Sequence, residues 1–326
     1  MKTIYKKLPS NKRDCIVTIG AFDGVHLGHQ FILNKVKQEA QRAGLSSLVI
    51  TFDISPKHFR FKDKIRKGLK GKCYFPGYIT DLRQKEILME NLGIDYLWFL
   101  KTSKSLLYLS ADNFISYICR YFKISKMIVG QDFRFGYARR ADKKILKKLS
   151  DKYNFELFVL GKVSKNKTVI SSSLIRKCIS KGELKEASRL LGRNFSLSGK
   201  IVKGRGQGIK LGFPTANVRI FNHVMPPGGV YSGYAIIGKK RYLSAINIGR
   251  NPTLTSAKKT TFEVHIINFK KNILDKEIEV VFLDKVRREK RFSSITKLKS
   301  AIQKDINLIT AKYSVPAPNS LQPLVS

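Results

Sequence analysis

The chain has 326 residues, of which 43% are hydrophobic, so it is long enough for two globular domains with apolar cores. Its formal net charge of +40 suits anionic substrates, but the lysines are spread over nearly every predicted helix and loop, which argues against a dedicated nucleic-acid surface. No apolar run approaches the roughly 18 residues that cross a bilayer, and no apolar segment follows the charged N-terminus, so we expect neither a membrane span nor a signal peptide.

The cysteine spacing bears on compartment and metal chemistry. Cys15, Cys73, Cys119 and Cys178 are far apart and form no Cys-x-x-Cys pair. This spacing argues against a zinc site and a disulfide framework, and it is typical of buried thiols in a reducing environment. We therefore expect a cytoplasmic protein with no specific nucleic-acid or membrane partner. The oligomeric state stays open, a weak homo-oligomer included.

The first half of the chain alternates apolar, strand-like runs with amphipathic, helix-like runs. This alternation predicts right-handed βαβ units and a parallel sheet, with ligands bound beyond the carboxyl ends of the strands. The predicted strands are Ile16–Ile19, Ser47–Phe52, Tyr96–Leu100, Lys126–Val129 and Glu156–Val163, and the predicted helices are about His29–Ala43, Asp81–Leu92, Ala111–Phe122 and Asp142–Tyr153.

Residues 22–29, which we call the His-Gly loop, stand where the first strand passes into a helix. The first N–H groups of a helix have no intrahelical partner, and the helix dipole there favours anions. Gly24 and Gly28 let a polyphosphate approach the backbone, and His26 and His29 supply two donors near neutral pH. A single histidine at such a place is commonly a cap or a surface residue, but two in this setting predict a phosphate site.

A second segment, Gly130–Gly136, follows the fourth predicted strand and should reach the same edge of the sheet. Its rings, Phe133 and Phe135, could pack a flat ligand, although each is equally explained as a core residue. Asp132 lies beside them. The segment is therefore a candidate for binding an aromatic substrate.

A third segment carries three consecutive hydroxyls at residues 171–173, at a predicted helix start. Hydroxyls there usually cap the helix. Arg176 lies one turn after Ser172, and a hydroxyl with an arginine also makes a phosphate clamp. With the His-Gly loop, this pair describes attack on an α-phosphate with pyrophosphate leaving, for which positioning and charge neutralisation suffice.

Beyond Gly192 strands alternate with turns, which predicts a small antiparallel barrel. A helical pair precedes it and a final helix follows it, and the uncharged tail Ser314–Ser326 is expected to be disordered. We place the domains at 1–188 and 189–313. The predicted elements are the helices Ser172–Lys181, Glu183–Leu191 and Ser294–Ala311, and the strands Phe195–Val202, Ala216–Ile220, Gly229–Ile237, Tyr242–Ile248, Thr261–Asn268 and Glu277–Asp284.

The barrel region holds its own candidates. Thr215 and Asn217 alternate onto one face of a strand, and their oxygens suit a hard cation such as Mg²⁺. Glu263 lies in an apolar strand, where a carboxylate is unusual without a task, and could act as a general base. An outward-facing strand glutamate is the alternative explanation.

The His-Gly loop together with 170–176 resembles the nucleotidyltransferase superfamily. With Asp132–Gly136 added, it resembles one branch, the FAD synthetase half of bacterial bifunctional riboflavin kinase/FAD synthetases. The resemblance implies an α/β fold with an N-terminal Rossmann-like nucleotidyltransferase domain. It implies that the two histidines bind the ATP phosphates, that Ser172 and Arg176 close over the pyrophosphate, and that Asp132 and its aromatic neighbours hold FMN.

The segment 214–217, followed by the strand of Glu263, is similar to the riboflavin kinase domain of the same family. That likeness implies a small antiparallel β-barrel domain with a C-terminal helix. It implies that Thr215 and Asn217 hold Mg²⁺ and ATP, and that Glu263 deprotonates the ribityl 5′-hydroxyl. It further implies that four glycines bind phosphate, namely Gly204, Gly206, Gly208 and Gly212. It also implies that Arg287 and Phe292 help to close the flavin site.

The resemblance covers about residues 12–313 and implies phosphorylation of riboflavin by ATP, then adenylylation of FMN, with Mg²⁺ at both sites. Some positions depart from the family pattern. Lys203 and Ile209 stand where His and Arg are common, with Lys210 a candidate substitute, and Ala141 stands where Gly is usual. One alternative is that only one half is active. The kinase would then be the activity more readily lost, because its phosphate loop is altered at Lys203 and Ile209. Another is a flavin- or RNA-binding regulator on an enzyme scaffold.

Overall fold

The computed structural model describes residues 1–4, 13–67, 75–165, 168–204, 206–251 and 259–313. The backbone contacts divide the chain into two compact units. The first unit comprises Met1–Pro76 and Leu82–Ser171, and the second comprises Gly77–Asp81 and Ser172–Ser326. The uncharged tail and Cys73 lie outside the described residues.

The first unit is an α/β layer structure. Its strands are β1 (Lys2–Ile4), β2 (Arg13–Ile19), β3 (Ser46–Phe52), β4 (Tyr96–Leu100), β5 (Phe122–Gly130) and β6 (Glu156–Leu160), with a short pair β7 (Ser164–Lys165) and β8 (Thr168–Val169). Its helices are α1 (Leu27–Arg42), α2 (Pro56–Arg66), α3 (Leu82–Asn91), α4 (Lys104–Leu107), α5 (Ala111–Cys119) and α6 (Lys143–Lys152).

The main sheet of this unit is parallel, with the strand order β1-β4-β3-β2-β5-β6. After β2 the chain proceeds through β3 on one side and later crosses to β5 on the other side of β2. The carboxyl ends of β2 and β5 therefore form the topological switch point, where open α/β sheets bind their ligands.

The side chains of β2 alternate between two apolar layers, as the period of a strand requires. Ile16 packs on one face with Val36 and Ala40 of α1. Val17 and Ile19 face the other layer, which contains the buried aromatic residues of α5 and β5. Because both faces are covered, β2 is held firmly, and the loop that follows it starts from a fixed point.

The second unit contains a helical pair, a closed barrel and a C-terminal helix. Its helices are α7 (Ser172–Lys181), α8 (Leu184–Leu191), α9 (Gln207–Lys210) and α10 (Ile295–Tyr313). Its strands are β9 (Ser196–Val202), β10 (Ala216–Arg219), β11 (Gly229–Ile237), β12 (Lys240–Asn251), β13 (Lys259–Ile266) and β14 (Glu277–Arg288).

The barrel is antiparallel throughout and closes in the order β10-β13-β12-β11-β14-β9, with β9 pairing back to β10. Its interior is filled by buried aromatic rings around Phe282. The ring of Phe282 lies 5.6 Å from those of Phe195 and Tyr231 and 6.0 Å from that of Phe262, centroid to centroid. These rings form a packed core inside the barrel.

The predicted fold class is confirmed: a parallel sheet with helices, then an antiparallel barrel and a C-terminal helix. Several boundaries were wrong: β2 and β5 begin earlier than predicted and β14 ends later, at Arg13, Phe122 and Arg288. Two others have a clear reason in packing or pairing. The helix predicted to reach Phe122 ends at Cys119, because Phe122 and Ile124 are buried as the first residues of β5. The strand predicted to reach Val163 ends at Leu160, because its partner β5 ends at Gly130, opposite Leu160.

Two further findings concern composition. Within the described ranges, no helix combines the length and the apolar character that a membrane span needs. Cys15, Cys119 and Cys178 carry free thiols, and two of them are buried. Burial raises the pKa of the Cys15 thiol to about 12, so this residue behaves as a small apolar side chain rather than a nucleophile.

Candidate active sites

The His-Gly loop leaves the carboxyl end of β2 and ends in the N-cap of α1. His26 is that cap: its Nδ1 accepts a hydrogen bond of 3.3 Å from the backbone N–H of His29. The same N–H also donates to the backbone carbonyl of His26 at 2.7 Å. The two histidine rings stack with 3.6 Å between centroids and 16° between planes. The structure thus brings both predicted histidines together at the switch point.

The backbone of the loop takes left-handed conformations that position these rings. The φ angles are 44° at Phe22, 88° at Gly24 and 38° at Val25. Left-handed backbone is costly for residues with side chains and persists where the surroundings fix it. Gly28 leaves room beside the cap, since a Cβ there would lie 3.2 Å from the ring of His26.

A buried lysine supports the start of the loop. Lys85 of α3 is only 5% exposed, and its Nζ donates to the carbonyl of Ala21 at 2.9 Å and lies 3.4 Å from Oγ1 of Thr51. Oγ1 of Thr51 donates to the same carbonyl at 3.2 Å. The sequence analysis did not identify Lys85, because no local pattern links α3 to a loop more than sixty residues earlier.

The segment 130–136 leaves the carboxyl end of β5, next to β2. Phe135 is buried in the core, with its ring 6.1 Å from that of Phe114, whereas Phe133 is half-buried and stacks on Phe135 at 5.3 Å. Ala141 is buried and exchanges backbone hydrogen bonds of 3.1 and 3.3 Å with Phe135. Core packing thus accounts for Phe135, whereas Phe133 is only partly buried and its flavin contact stays a prediction.

A cavity of about 430 Å³ lies between the end of β5 and the start of α6, and we call it the β5–α6 cavity. Asp132 and Phe133 are in its wall, together with cationic side chains. The complete lining is Gln131, Asp132, Phe133, Arg134, Arg139, Asp142 and Lys143. Of the predicted flavin-binding residues in this unit, the structure places Asp132 and Phe133 together here.

Ser172 and Arg176 belong to the second unit. Ser172 is the first residue of α7, and Nε of Arg176 donates to the carbonyl of Gly77 at 2.8 Å. The preceding carbonyl of Ile170 lies 3.8 Å from the position of a Cβ on Gly28. The chain therefore passes the His-Gly loop two residues before Ser172, and the pyrophosphate role of Ser172 and Arg176 stays a prediction.

A second cavity, of about 620 Å³, lies on the barrel, and we call it the barrel cavity. It is lined by predicted residues of the segment 204–208 and by Thr215 and Asn217. The segment that connects β13 to β14 completes the lining. Its lining includes Gly204, Gly206, Gly208, Thr215, Asn217 and Lys271. Gly212 is outside this lining; its φ of 86° forms the turn after α9.

The glycines of the barrel cavity fit closely around Thr215 and Asn217. A Cβ on Gly208 would lie 2.8 Å from Oγ1 of Thr215, and one on Gly204 would collide with the side-chain amide of Asn217. No described part of the chain gathers three or more His, Cys, Asp or Glu side chains around a metal. A hard cation with few protein ligands and several from phosphate is compatible with the two side-chain oxygens.

Glu263 lies on the outer face of the barrel. Its neighbours Phe262 and Val264 are buried, and Glu263 is half-buried between them. It pairs across the sheet with Asn217 on one side and Asn247 on the other, so these three side chains share a face. Glu263 is next to the barrel cavity through Asn217 rather than in its lining. Asn247 was not predicted, because only the strand register reveals it.

The two residues of the predicted flavin pair, Arg287 and Phe292, are in contact, and Arg287 also forms an ion pair with Asp305. Nε of Arg287 donates to both carboxylate oxygens of Asp305 on α10, at 3.1 and 2.9 Å, and the guanidinium lies 5.4 Å from the ring centre of Phe292. Burial raises the pKa of Asp305, and Arg287 opposes this shift. Arg287 therefore anchors α10 to β14, and its flavin contact stays a prediction.

The departures in the kinase loop have a structural counterpart. Ile209 is 69% exposed and brings no charge. Lys203, Lys270 and Lys271 line the barrel cavity, whereas Lys210 is not in its lining. Positive charge for a polyphosphate is thus present at the rim of the cavity, from both sides.

Comparison with known proteins covers both units. A family model for FAD synthetase matches residues 8–174, and one for riboflavin kinase matches residues 191–313. The bifunctional riboflavin kinase/FMN adenylyltransferase of Buchnera aphidicola subsp. Schizaphis graminum is 35% identical over 95% of this chain and 96% of its own length. The protein of the same description in Escherichia coli K12 is 32% identical over 94% of this chain and 95% of its own length.

A solved structure supports the fold over nearly the whole chain. It is described as a macrolide-efflux protein from Streptococcus pneumoniae, and it covers 94% of this chain and 98% of its own with a TM-score of 0.80 and 28% identity.

Proposed function

Because this chain belongs to the family of bifunctional riboflavin kinase/FMN adenylyltransferases, and so makes FMN from riboflavin and FAD from FMN, we propose that residues 189–313 carry the phosphoryl transfer and residues 1–188 the adenylyl transfer. These bounds are drawn from the sequence; the compact units divide at 171/172, and the family models leave 175–190 between them. ATP is the co-substrate of both steps.

The observation that carries the adenylyl transfer is the stacked His26–His29 pair at the cap of α1. In this step a phosphate oxygen of FMN attacks the α-phosphorus of ATP, the bond to the bridging oxygen breaks, and pyrophosphate leaves. The nucleophile is already an anion, so no base is required. His26 and His29 donate to phosphate oxygens as charge moves onto the leaving group, which lowers the barrier electrostatically. Ser172 and Arg176 hold the pyrophosphate.

The phosphoryl transfer takes place on the outer face of the barrel. The ribityl 5′-hydroxyl of riboflavin attacks the γ-phosphorus of ATP and ADP leaves. Glu263 accepts the hydroxyl proton, because it is the carboxylate that the strand register places beside Asn217. The glycines 204, 206 and 208 let the triphosphate approach the backbone. Arg287 and Phe292 close the flavin site.

The phosphoryl transfer calls for a divalent cation, and Mg²⁺ fits the residues present. Thr215 and Asn217 would hold it through their side-chain oxygens, since both residues line the barrel cavity. When bound, Mg²⁺ neutralises phosphate charge and orients the transferred group. The protein residues alone determine where the ribityl 5′-hydroxyl meets Glu263, its general base.

The remaining proposals concern the setting of the enzyme. The free thiols of Cys15, Cys119 and Cys178 support a reducing compartment, such as the cytoplasm. Substrates are the small molecules riboflavin, FMN and ATP. We propose no specific nucleic-acid or membrane partner, and a weak homo-oligomer remains open.

The direct test is to incubate the purified protein with riboflavin, ATP and Mg²⁺ and to separate the flavins over time. FMN should appear first and FAD later, with ADP and pyrophosphate as the other products. Formation of FMN without FAD would mean that only the kinase is active. Formation of FAD only when FMN is added would mean that only the adenylyltransferase is active. Absence of both products would contradict the enzyme and favour a flavin-binding regulator.

A further inference from the structure

The β5–α6 cavity contains cations that its carboxylates do not neutralise. Asp132 forms an ion pair of 2.9 Å with Lys162, which lies outside the lining. Asp142 caps α6 by accepting from the N–H groups of residues 144 and 145, and Arg134 lies 4.0 Å from it. Arg139 and Lys143 take part in no ion pair with any described residue, so the cavity presents uncompensated positive charge.

Arg139 is held by an unusual backbone. Ala138 has φ 53° and ψ 17°, and Arg139 has φ 59°, so two successive residues with side chains are left-handed. Such conformations are costly and are retained where the surrounding structure or a function requires them. Arg140, the next residue, returns to a right-handed conformation and lies over the ring of Tyr137 at 5.6 Å. The strained turn thus separates two adjacent arginines, one lining the cavity and one on a tyrosine.

The cavity adjoins the proposed ATP site through the sheet. β5 pairs with β2 in parallel, and the His-Gly loop and the segment 130–136 follow the same ends of these neighbouring strands. Gly130 also approaches α1, since a Cβ there would lie 3.4 Å from Cδ1 of Ile32. The His-Gly loop and the segment that lines the β5–α6 cavity therefore share one edge of the sheet, where open α/β sheets bind their ligands.

The acceptor of the adenylyl group differs from riboflavin by a phosphate. An arginine guanidinium matches phosphate oxygens with two parallel N–H donors, a geometry that lysine lacks. The half-buried ring of Phe133 forms an aromatic wall in the same cavity. The cavity thus offers a surface for a flat ring and a cation for an anionic group.

We propose that Arg139 is a specificity-determining residue that binds the 5′-phosphate of FMN during adenylyl transfer, with Lys143 adding charge. This inference rests on the proposed adenylyltransferase function. Arg139 distinguishes the phosphorylated flavin, which is a substrate of this unit, from flavins without a phosphate. The role differs from that of His26 and His29, which contact the phosphates of ATP.

The test compares Arg139→Gln with Arg140→Gln in the full-length protein. FAD formation from FMN and ATP is measured at varied FMN, at varied ATP, and with lumiflavin as a competitive inhibitor. Lumiflavin has the flavin ring but neither a phosphate nor a hydroxyl for the kinase to use. Arg140→Gln removes the same charge one residue away, outside the cavity. Riboflavin phosphorylation in each variant serves as the internal control for folding of the barrel unit.

We expect Arg139→Gln to raise the KM for FMN by about tenfold or more, since charge-assisted phosphate contacts are strong. The inhibition constant of lumiflavin, the KM for ATP and riboflavin phosphorylation should not change, and Arg139→Lys should restore part of the FMN affinity. Arg140→Gln should resemble the wild type.

Three results would overturn the inference. The first is an unchanged KM for FMN in Arg139→Gln. The second is a weakening of lumiflavin inhibition by the same factor as FMN binding, which would indicate a disturbed ring site. The third is a rise in the KM for ATP instead, which would assign Arg139 to the nucleotide. If the wild-type protein makes no FAD at all, the proposed adenylyltransferase function fails, and that failure is separate from these three.

Discussion

The ring of His26 caps α1 and is also the proposed phosphate ligand. N-caps are usually Ser, Thr, Asp or Asn, whose short side chains accept from the first helical N–H groups. Here Nδ1 of His26 takes that role, which orients the ring at the start of α1. His29 stacks on the same ring. The two rings are therefore held against each other by the local structure, the kind of preorganisation that electrostatic catalysis requires.

A glycine in the barrel cavity gives a residue-level prediction. In Gly204→Ala the new methyl would collide with the amide of Asn217. Overpacking of this kind costs about 1–3 kcal/mol, and here it displaces a proposed ligand of the nucleotide site. We expect kcat/KM for ATP in riboflavin phosphorylation to fall by about tenfold or more. Adenylylation of added FMN should stay at the wild-type rate.

The matched control is Gly161→Ala, where an added methyl meets no atom within 4 Å. This variant should keep both activities. Full kinase activity in Gly204→Ala would show that Asn217 can move without consequence, which contradicts its proposed role.

Local pattern predicted the positions of those candidate site residues that lie in one segment, while their roles stay proposals. The histidines of the His-Gly loop, and Thr215 with Asn217, were predictable because helix starts and strand alternation dictate where such side chains point. Lys85 and Asn247 were not, because each acts through a contact made only by tertiary structure. The sequence also does not show whether an aromatic ring faces the core or a ligand. Phe135, a candidate for flavin binding, lies in the core.

At the scale of elements, Asp284 ties three pieces of the second unit together. Its carboxylate on β14 lies 3.2 Å from Nζ of Lys185 on α8, and 2.6 and 2.5 Å from Lys312 and Tyr313 on α10. Burial raises the pKa of Asp284, but the hydrogen bonds from Lys312, Tyr313 and Lys185 outweigh burial and lower it to about 2. The ionised form is therefore the one that stabilises the fold.

Asp284→Asn should lower the free energy of unfolding at neutral pH by about 1–3 kcal/mol, measured by urea titration with circular dichroism. Because the folded pKa is below the ordinary value of 3.8, this contribution is present above about pH 4 and is lost as the pH falls towards 2. The difference between variant and wild type should shrink over that range.

Asp151→Asn provides the control, because Asp151 pairs only with Lys147 on an exposed helix face at 2.6 Å among the described contacts. An exposed pair of this kind contributes at most about 0.5 kcal/mol. Equal destabilisation by the two variants would contradict the role assigned to Asp284.

Element types were predictable from periodicity, whereas some ends were not. The end of α5 is decided by the burial of Phe122 in the sheet, and the end of β6 by the length of its partner strand. The helix α2 was not predicted, because its sequence is dominated by charge; Ser55 caps it, and Pro56 is its first residue. Ends and charged helices depend on tertiary neighbours, which a single sequence does not show.

For the molecule as a whole, the excess of cations shapes the electrostatics. The chain has 63 Lys and Arg against 23 Asp and Glu, so acids are shared among several cations. Glu39 contacts Lys35, Arg42 and Lys126, and the hydrogen bond from Lys126, followed by that from Lys35, lowers its pKa to about 2. The remaining excess of positive charge favours anionic substrates and salt-sensitive, non-specific binding to polyanions.

The central claim is that one chain carries two separate sites that act in sequence. The most direct measurement is flavin separation after incubation of His29→Ala with riboflavin, ATP and Mg²⁺, beside Glu263→Ala supplied with FMN. His29→Ala should accumulate FMN. Its rate of FAD formation should be about one hundredth of the wild-type rate or lower, since it loses a donor to the reacting phosphates. Glu263→Ala should make FAD from FMN normally and fail to phosphorylate riboflavin. Loss of both activities in either folded variant would contradict the account.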